Sequence, residues 1–352
     1  MSTLTTRTDW ISPNLLTLLE TYNISPRRSL GQAFLNDQQT ILSIVGDLCS
    51  YQTEIFIEIG TGPGMLTYEL AQQACTVVSI EIDKRFVPLH NDLFSDLKTP
   101  PLILYEDARD VNEKRVFDTL RCKENNQSNL NSDAECGVIS RGGIPVKKIE
   151  PSSSSYDMKE EETIVHHPLR NEANVHTMPP YVLFGNLPYY LTTELILSSL
   201  THFPRMRCAL FMIQQDVTSR LIASPGSKRY GPLAIASQLF GHWEVRRTVS
   251  RQSFYPVPRV TSKLVELIPS DDSEARLLAG SPAFHTFLVA LFQSRRKTIG
   301  NALSASIELT DQEARLSRAL SLFIQQNNLS SSVRAESLNP SQLAELFQLL
   351  QA

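Results

Sequence analysis

The stretch Ile55–Leu66, reading IFIEIGTGPGML, constrains the fold of this chain more than any other. Ile55, Phe56 and Ile57 make the apolar run that a buried central strand needs, and Gly60, Gly62 and Gly64 follow as a spaced turn. Glycine admits backbone conformations that a Cβ forbids and lets a ligand approach the main chain. Roughly twenty residues past Glu58, a second apolar run, Thr76–Ile80, ends in Glu81. Strand, glycine turn, helix and a second strand ending in an acid describe a nucleotide-binding α/β half, whose second acid is placed to accept hydrogen bonds from a ribose.

The turn reads GxGxG from Gly60, not the GxGxxG of a dinucleotide site. A dinucleotide needs helix N-terminal donors for its pyrophosphate. The spacing found, with Glu58 at the strand end, suits a nucleoside without a charged linker, such as S-adenosylmethionine.

Successive strand ends in a doubly wound sheet share one crevice. Pro101–Tyr105 reads as a third strand, ending in Glu106, Asp107 and Ala108, so Glu58, Glu81 and Asp107 are expected to converge. Before the first strand, Pro13–Tyr22 has the pattern of a short amphipathic helix. The loop SLGQAFL, Ser29–Leu35, follows it and leads into a helix over Asp37–Leu48. Composition then breaks: from about Asn112 to Pro180 the chain carries SNLNS, PSSSSYD and KEEE with little apolar periodicity, the mark of a flexible surface insertion.

Pattern returns at Tyr181–Phe184, a strand followed by Gly185 and NLPYY, Asn186–Tyr190. An Asn, a Pro and aromatic rings at a strand end offer an amide oxygen, an unpaired backbone carbonyl and a flat face, which together suit a planar base bearing an NH2 group. Helices are expected over Thr192–Leu200, Gln214–Leu221 and Pro232–Phe240, with strands at Cys208–Ile213, Val245–Val249 and Leu264–Ile268. Between the last two, Phe254 with Pro256 and Pro258 reads as a stiffened loop presenting an exposed ring. Tyr230, in the loop SPGSKRYG, is a candidate for touching substrate or solvent. Beyond Pro269 the pattern is helical. Phe284, Phe287, Leu288 and Leu291 share one face, Thr310 and Glu313 form a capping box, and Asn339 with Pro340 opens a last helix.

A chain of 352 residues accommodates two domains, or one with additions. The start, MSTLTTRTDW, lacks a basic region followed by an apolar core, and no run reaches membrane-spanning length, so a cytoplasmic protein with no membrane partner is expected. Cys49, Cys75, Cys122, Cys136 and Cys208 lack ligand spacing and read as free thiols. His166, His167 and His176 have no accompanying cysteine pair, so no metal site is expected. The net charge of -4 gives no general attraction for nucleic acid, but Arg246 with Arg247, Arg251 with Arg259, and Arg295, Arg296 and Lys297 gather in local patches.

Taken together and in order, SLGQAFL, EIGTGPGMLT, Glu81, Asp107-Ala108, NLPYY, MIQQDVTSRL, PGSKRYG, FYPVPRVTS and FQSRRKTIGNAL resemble the ribosomal RNA adenine N6-dimethyltransferase family, in its bacterial small-subunit branch. The resemblance runs from about Pro26 to Ala302, leaving out the insertion, and departs at Ala33, where members usually carry Asn. It implies an α/β, Rossmann-like S-adenosylmethionine-dependent methyltransferase sheet over 1–268, with an insertion at 112–180, and a small C-terminal helical RNA-binding domain over 269–352. The implied cofactor is S-adenosylmethionine, held by Gln32, Ala33, Leu35, Glu58, Gly60, Gly62, Glu81, Asp107 and Asn186.

The implied target residues are Asn186, Leu187, Pro188, Tyr189 and Phe254. The Asn186 side-chain oxygen and the Leu187 carbonyl accept the two N–H bonds of the adenine amine, Tyr189 stacks on the base, and Phe254 closes the opposite side. The implied reaction is dimethylation of two adjacent adenosines near the 3' end of small-subunit rRNA, by a monomer acting on an immature subunit. Three readings compete with it: a large-subunit rRNA methyltransferase, a noncatalytic assembly factor of the same fold, and a DNA adenine methyltransferase.

Overall fold

The computed structural model describes residues 14–73, 75–128, 179–304 and 310–351. Cys136, His166, His167 and His176 lie outside these residues. The chain divides into two compact units, one comprising the residues through Val116 together with Pro180 onward, the other Phe117–Pro179. In the second unit the described part is mainly the helical run that ends at Ser128.

In the first unit, α1 (Leu15–Thr21) is capped by the Asn14 side chain and leads through a short turn to β1 (Phe34–Leu35). Asp37 caps α2 (Gln38–Cys49), its carboxylate accepting from the Thr40 amide at 3.0 Å. Then follow β2 (Ile55–Ile59), α3 (Met65–Ala71), β3 (Thr76–Ile80), α4 (Val87–Leu93) and β4 (Leu102–Leu104), alternating as a parallel α/β unit requires. The helix α5 (Glu113–Ser128) precedes β5 (Tyr181–Asn186), α6 (Thr192–His202), β6 (Cys208–Gln214), α7 (Gln215–Leu221) and α8 (Pro232–Phe240). The strands β7 (Gly241–Val249), β8 (Phe254–Tyr255) and β9 (Ser262–Pro269) complete the sheets. The helices α9 (Ser273–Ala279), α10 (Pro282–Gln293), α11 (Ile299–Ser304), α12 (Thr310–Gln326) and α13 (Pro340–Gln351) end the chain.

Seven strands form one sheet in the order β4-β3-β2-β5-β6-β9-β7. Strands β2 to β6 pair in parallel, while β9 is antiparallel to β6 and β7 antiparallel to β9. This is the Rossmann-like methyltransferase arrangement, and its topological switch lies between β2 and β5, where the carboxyl ends of adjacent strands diverge into a crevice. Both faces are covered. Phe56, Val77, Val182 and Leu210 face a core shared with Leu15, Ile41, Leu48 and Leu70, whereas the alternate residues Ile57, Val78, Leu183 and Phe211 are buried on the other side.

The structure departs from the sequence pattern in four places. The insertion boundary at 112 is too early, because Glu113 at the start of α5 accepts hydrogen bonds from the Tyr181 hydroxyl at 2.6 Å and from Arg205 at 2.9 Å. Strand β7 starts at Gly241, not Val245; a Cβ on Gly241 would lie 2.3 Å from the Ile268 carbonyl oxygen, so a residue that reads as a breaker is the one that fits the close strand approach. The loops around Phe34 and Phe254 are not separate. They pair as a two-stranded antiparallel sheet, Phe34 opposite Tyr255 and Leu35 opposite Phe254. Tyr230 is a core residue whose hydroxyl donates to the Leu338 carbonyl at 2.9 Å, tying the SPGSKRYG loop to the C-terminal helices.

No single helix among the described residues is long and apolar enough to cross a membrane. The four described cysteines, Cys49, Cys75, Cys122 and Cys208, form no disulfide among the described residues, and no group of metal-ligating side chains gathers among them.

Candidate active site

The glycine turn sits where β2 ends, and its three glycines all take positive φ, +84° at Gly60, +54° at Gly62 and +89° at Gly64. Those values are strained for any residue with a Cβ, and at Gly64 a Cβ would also lie 2.7 Å from the Phe94 ring. The Gly62 amide donates to a Glu81 carboxylate oxygen at 2.7 Å, and the Asp83 amide donates to the other at 2.8 Å. Burial pushes the Glu81 carboxyl up to about 7, against the lowering effect of these two backbone donors.

Glu58 is also pushed up to about 7 by burial, countered by hydrogen bonds from Ser79 at 2.6 Å and Thr67 at 2.5 Å. One of its oxygens therefore ties β2 to β3 and to the start of α3, beneath the turn. Asp107 is held below the usual carboxylate range by the Arg109 guanidinium, which approaches to 2.7 Å and reaches on to Glu194 at 3.0 Å. The three acids expected to converge do line one cavity, in three different states of engagement.

Across that cavity, β5 ends in Asn186. Its Nδ2 donates to the Ala33 carbonyl at 2.7 Å, and an amide that gives its NH2 to a carbonyl must turn Oδ1 the other way. Oδ1 and the Leu187 carbonyl accept from no donor among the described residues, and both residues line the cavity. Two unpaired acceptors side by side at a strand end match the two N–H bonds of an exocyclic amine. Gly185 makes this approach possible: a Cβ there would sit 2.3 Å from the Ile59 carbonyl oxygen.

The loop preceding β1 closes over the same place. Gly31, at φ +61°, lies against Tyr189 and Tyr190, and the Tyr190 hydroxyl donates to the Arg28 carbonyl at 2.6 Å. Gln32 does not point freely at a ligand; its amide donates to Asp83 at 2.9 Å and its oxygen accepts from the Arg27 amide at 2.8 Å. Leu35 is a core residue at the cavity edge. Tyr189 lines the cavity, with its hydroxyl buried and in no hydrogen bond among the described residues.

Of the residues read from sequence, Gln32, Ala33, Leu35, Glu58, Gly60, Gly62, Glu81, Asp107, Asn186, Leu187, Pro188 and Tyr189 are brought to one cavity. Phe254 is not. Its ring is 2 % exposed and packed in the core beside Leu35, because β8 pairs with β1 and turns it inward; the exposed ring next to it is Tyr255. Among the basic patches, Arg295 lies in the turn after α10 and donates to the Lys228 carbonyl at 2.6 Å and to Glu336 at 3.0 Å, so it is a structural clasp. Arg246 is paired with Glu266 at 3.3 Å and Arg247 with Asp47. Arg251, Arg259, Arg296 and Lys297 remain exposed. Sequence reasoning missed Gly31 and Gly185. Gly31 stood inside SLGQAFL and Gly185 immediately before NLPYY, and a glycine in or bordering such a motif was the available signal.

The cavity suits S-adenosylmethionine on its donor and acceptor set. A glycine-rich turn borders an ionisable buried acid placed for ribose hydroxyls, and Asp107 stands at the next strand end for an adenine amine. Fold and site define a Rossmann-like S-adenosylmethionine-dependent methyltransferase.

Comparison with known proteins narrows this further. The family model described as ribosomal RNA adenine dimethylase matches residues 23–348, and the chain belongs to that family. Among its relatives, the ribosomal RNA small subunit methyltransferase A of Geobacillus sp. (strain WCH70) is 30% identical over 335 residues, covering 95% of this chain and 94% of that protein. The protein of the same name from Halothermothrix orenii is 27% identical over 333 residues, covering 95% and 91%. A crystal structure of a dimethyladenosine transferase from Plasmodium falciparum superposes with a TM-score of 0.57 at 19% identity, covering 90% of this chain and 96% of that one. The chain is thus an S-adenosylmethionine-dependent rRNA adenine methyltransferase.

Proposed function

We propose that this protein dimethylates the N6 amines of two adjacent adenosines near the 3' end of small-subunit rRNA, acting as a cytoplasmic monomer on an immature subunit. The observation that carries the reading is the Asn186 amide, turned by the Ala33 carbonyl so that its oxygen stands free beside the free Leu187 carbonyl. The small-subunit assignment is supported by relatives of that name spanning nearly the whole chain.

The cofactor, when bound, supplies an electrophilic methyl on a sulfonium. What the chain must do is make a poor nucleophile act, since the lone pair of an adenine amine is delocalised into the ring. Asn186 Oδ1 and the Leu187 carbonyl accept its two N–H bonds, which aims the lone pair and favours the positive charge that develops on nitrogen in the transition state. Tyr189 holds the base plane, so alignment carries much of the rate. The amine would give up to solvent one of the two protons that Asn186 Oδ1 and the Leu187 carbonyl hold, balancing the methyl it gains. After one transfer a single N–H remains, and rotation about the C6–N6 bond returns the lone pair for the second.

In this reading residues 1–268 form the catalytic part, with an insertion over Phe117–Pro179 set into it in sequence. Residues 269–352 form the helical RNA-binding part, in which the exposed Arg296 and Lys297 are phosphate contacts. The test adds purified protein and labelled S-adenosylmethionine to small subunits lacking these modifications, then maps the methylated nucleotides. Dimethylation at paired adenosines near the 3' end is expected. Label in large-subunit rRNA or DNA only, or no transfer, would overturn the proposal in favour of the corresponding rival.

A further inference from the structure

Behind the glycine turn, on the side away from the cavity, lies a buried histidine that the reaction does not use. His90 on α4 is 2 % exposed. Its ring stacks with Phe86 at 5.7 Å between centroids, with Phe94 at 5.4 Å and with Tyr105 at 6.0 Å. Nε2 lies 2.8 Å from the Gly62 carbonyl oxygen and Nδ1 lies 2.8 Å from the Tyr105 hydroxyl.

A carbonyl only accepts, so Nε2 carries the proton and donates. In the neutral ring Nδ1 is then an acceptor, and the Tyr105 hydroxyl donates to it. Burial pushes the His90 pKa down to about 4, so this single neutral tautomer persists across the physiological range.

Gly62 is consequently held at both of its polar atoms, its amide by Glu81 at 2.7 Å and its carbonyl by His90. The chain of contacts runs Tyr105 to His90 to Gly62 to Glu81, from the end of β4 to the acid placed for the cofactor ribose. Glycine at φ +54° is the most conformationally free residue type, and without such a clamp the turn would sample other states.

Building on the cofactor assignment above, we infer that His90 is a positioning residue that sets cofactor affinity by locking the Gly62 peptide, and through it the Glu81 carboxylate, in the binding-competent geometry. The role acts through population: if the clamp holds the turn almost wholly competent and its loss leaves about a tenth of molecules so, the apparent dissociation constant rises about tenfold. The chemical step, which depends on Asn186 and Leu187, is left alone once the cofactor is saturating.

The test is calorimetric titration of the full chain with S-adenosylmethionine and with S-adenosylhomocysteine, without RNA, beside initial rates at saturating cofactor and thermal unfolding of the ligand-free protein. His90→Phe keeps an aromatic ring for the stack and removes both hydrogen bonds; about tenfold weaker binding is expected, with the saturated rate within about threefold of the parent. His90→Gln provides an amide N–H for Gly62 and an oxygen for Tyr105, and is expected to restore affinity to within about twofold. Tyr105→Phe removes one hydroxyl and is expected to fall between the two. A merely structural role would lower the unfolding temperature without this ordering of affinities. Parental affinity in His90→Phe, or equal weakness in His90→Gln and His90→Phe, would overturn the inference. Should His90→Phe not fold, parental affinity in Tyr105→Phe would do so. A parent protein that fails to bind either compound would instead overturn the cofactor assignment and this inference with it.

Discussion

Replacing Asn186 tests the catalytic geometry most directly, because its two amide atoms have different jobs. Nδ2 holds the Ala33 carbonyl at 2.7 Å, and Oδ1 is the free acceptor. Asn186→Ala removes both. Loss of one preorganised hydrogen-bonding group aimed at developing charge costs about 10²–10³ in rate, so the saturated rate is expected to fall by that factor. The Glu81, Gly62 and Asp107 contacts are untouched, so cofactor affinity should change by less than about fivefold, the effect of one ordinary hydrogen bond. Asn186→Asp sharpens the test. It retains an acceptor oxygen but places a second oxygen where Nδ2 stood, 2.7 Å from the Ala33 carbonyl, a repulsive contact that must swing the side chain away. It is therefore expected to lose at least about tenfold in rate too. Transfer of labelled methyl to RNA, at saturating cofactor and with binding measured separately, gives both numbers. An Asn186→Ala protein within about threefold of the parent rate, or an Asn186→Asp protein at the parent rate, would refute the reasoning.

Three further outcomes follow from the same contacts. Gly185→Ala puts a Cβ 2.3 Å from the Ile59 carbonyl oxygen and should cost about 3 kcal/mol, seen as a fall of roughly 4–5 °C in unfolding temperature; an unchanged melting curve would contradict the strand approach described. Glu81, pushed up to about 7 in the free protein against an ordinary 4.5, should release a proton when ribose hydroxyls donate to it. Cofactor affinity should then fall by up to about tenfold per unit as pH drops from 8 to 6, and titrations in buffers of different ionisation enthalpy should lose this dependence in Glu81→Gln. The linked stability has the opposite sense: the folded pKa lies above the unfolded one, so the contribution is complete below about 4.5 and is lost as pH rises through about 7. Ala33→Asn adds back a side chain at the cavity wall without disturbing the Ala33 carbonyl, and is expected to tighten cofactor binding about two- to tenfold by calorimetry; weaker binding would show that the wall has no room for it.

Much of the site was legible before any coordinates because its chemistry is local. Gly60, Gly62 and Gly64 announce positive φ, the runs Phe56–Ile59 and Val77–Ile80 announce strands buried on both faces, and each acid or amide falls at a strand's carboxyl end. A parallel sheet gathers such ends by construction, so Glu81, Asp107 and Asn186 line one cavity across gaps of tens of residues. The misjudged residues were those whose state is set by a distant partner. Phe254 looked exposed between prolines and is buried by pairing with Leu35. Tyr230 looked like a loop contact and is fixed by the Leu338 carbonyl, and Arg295 looked like part of an open basic patch and is claimed by Glu336 and the Lys228 carbonyl.

The sequence alone thus determined the kinds of groups present and the order in which strand ends offer them, because backbone freedom and strand periodicity are properties of short segments. Only the tertiary structure decided which of those groups are free. The Asn186 oxygen is available because Ala33, far away in the chain, takes its nitrogen, and the Gly62 turn is held because His90 and Glu81 meet it from opposite sides. Hydrogen-bond occupancy between segments depends on distances that the fold sets, and a string of residues does not contain them.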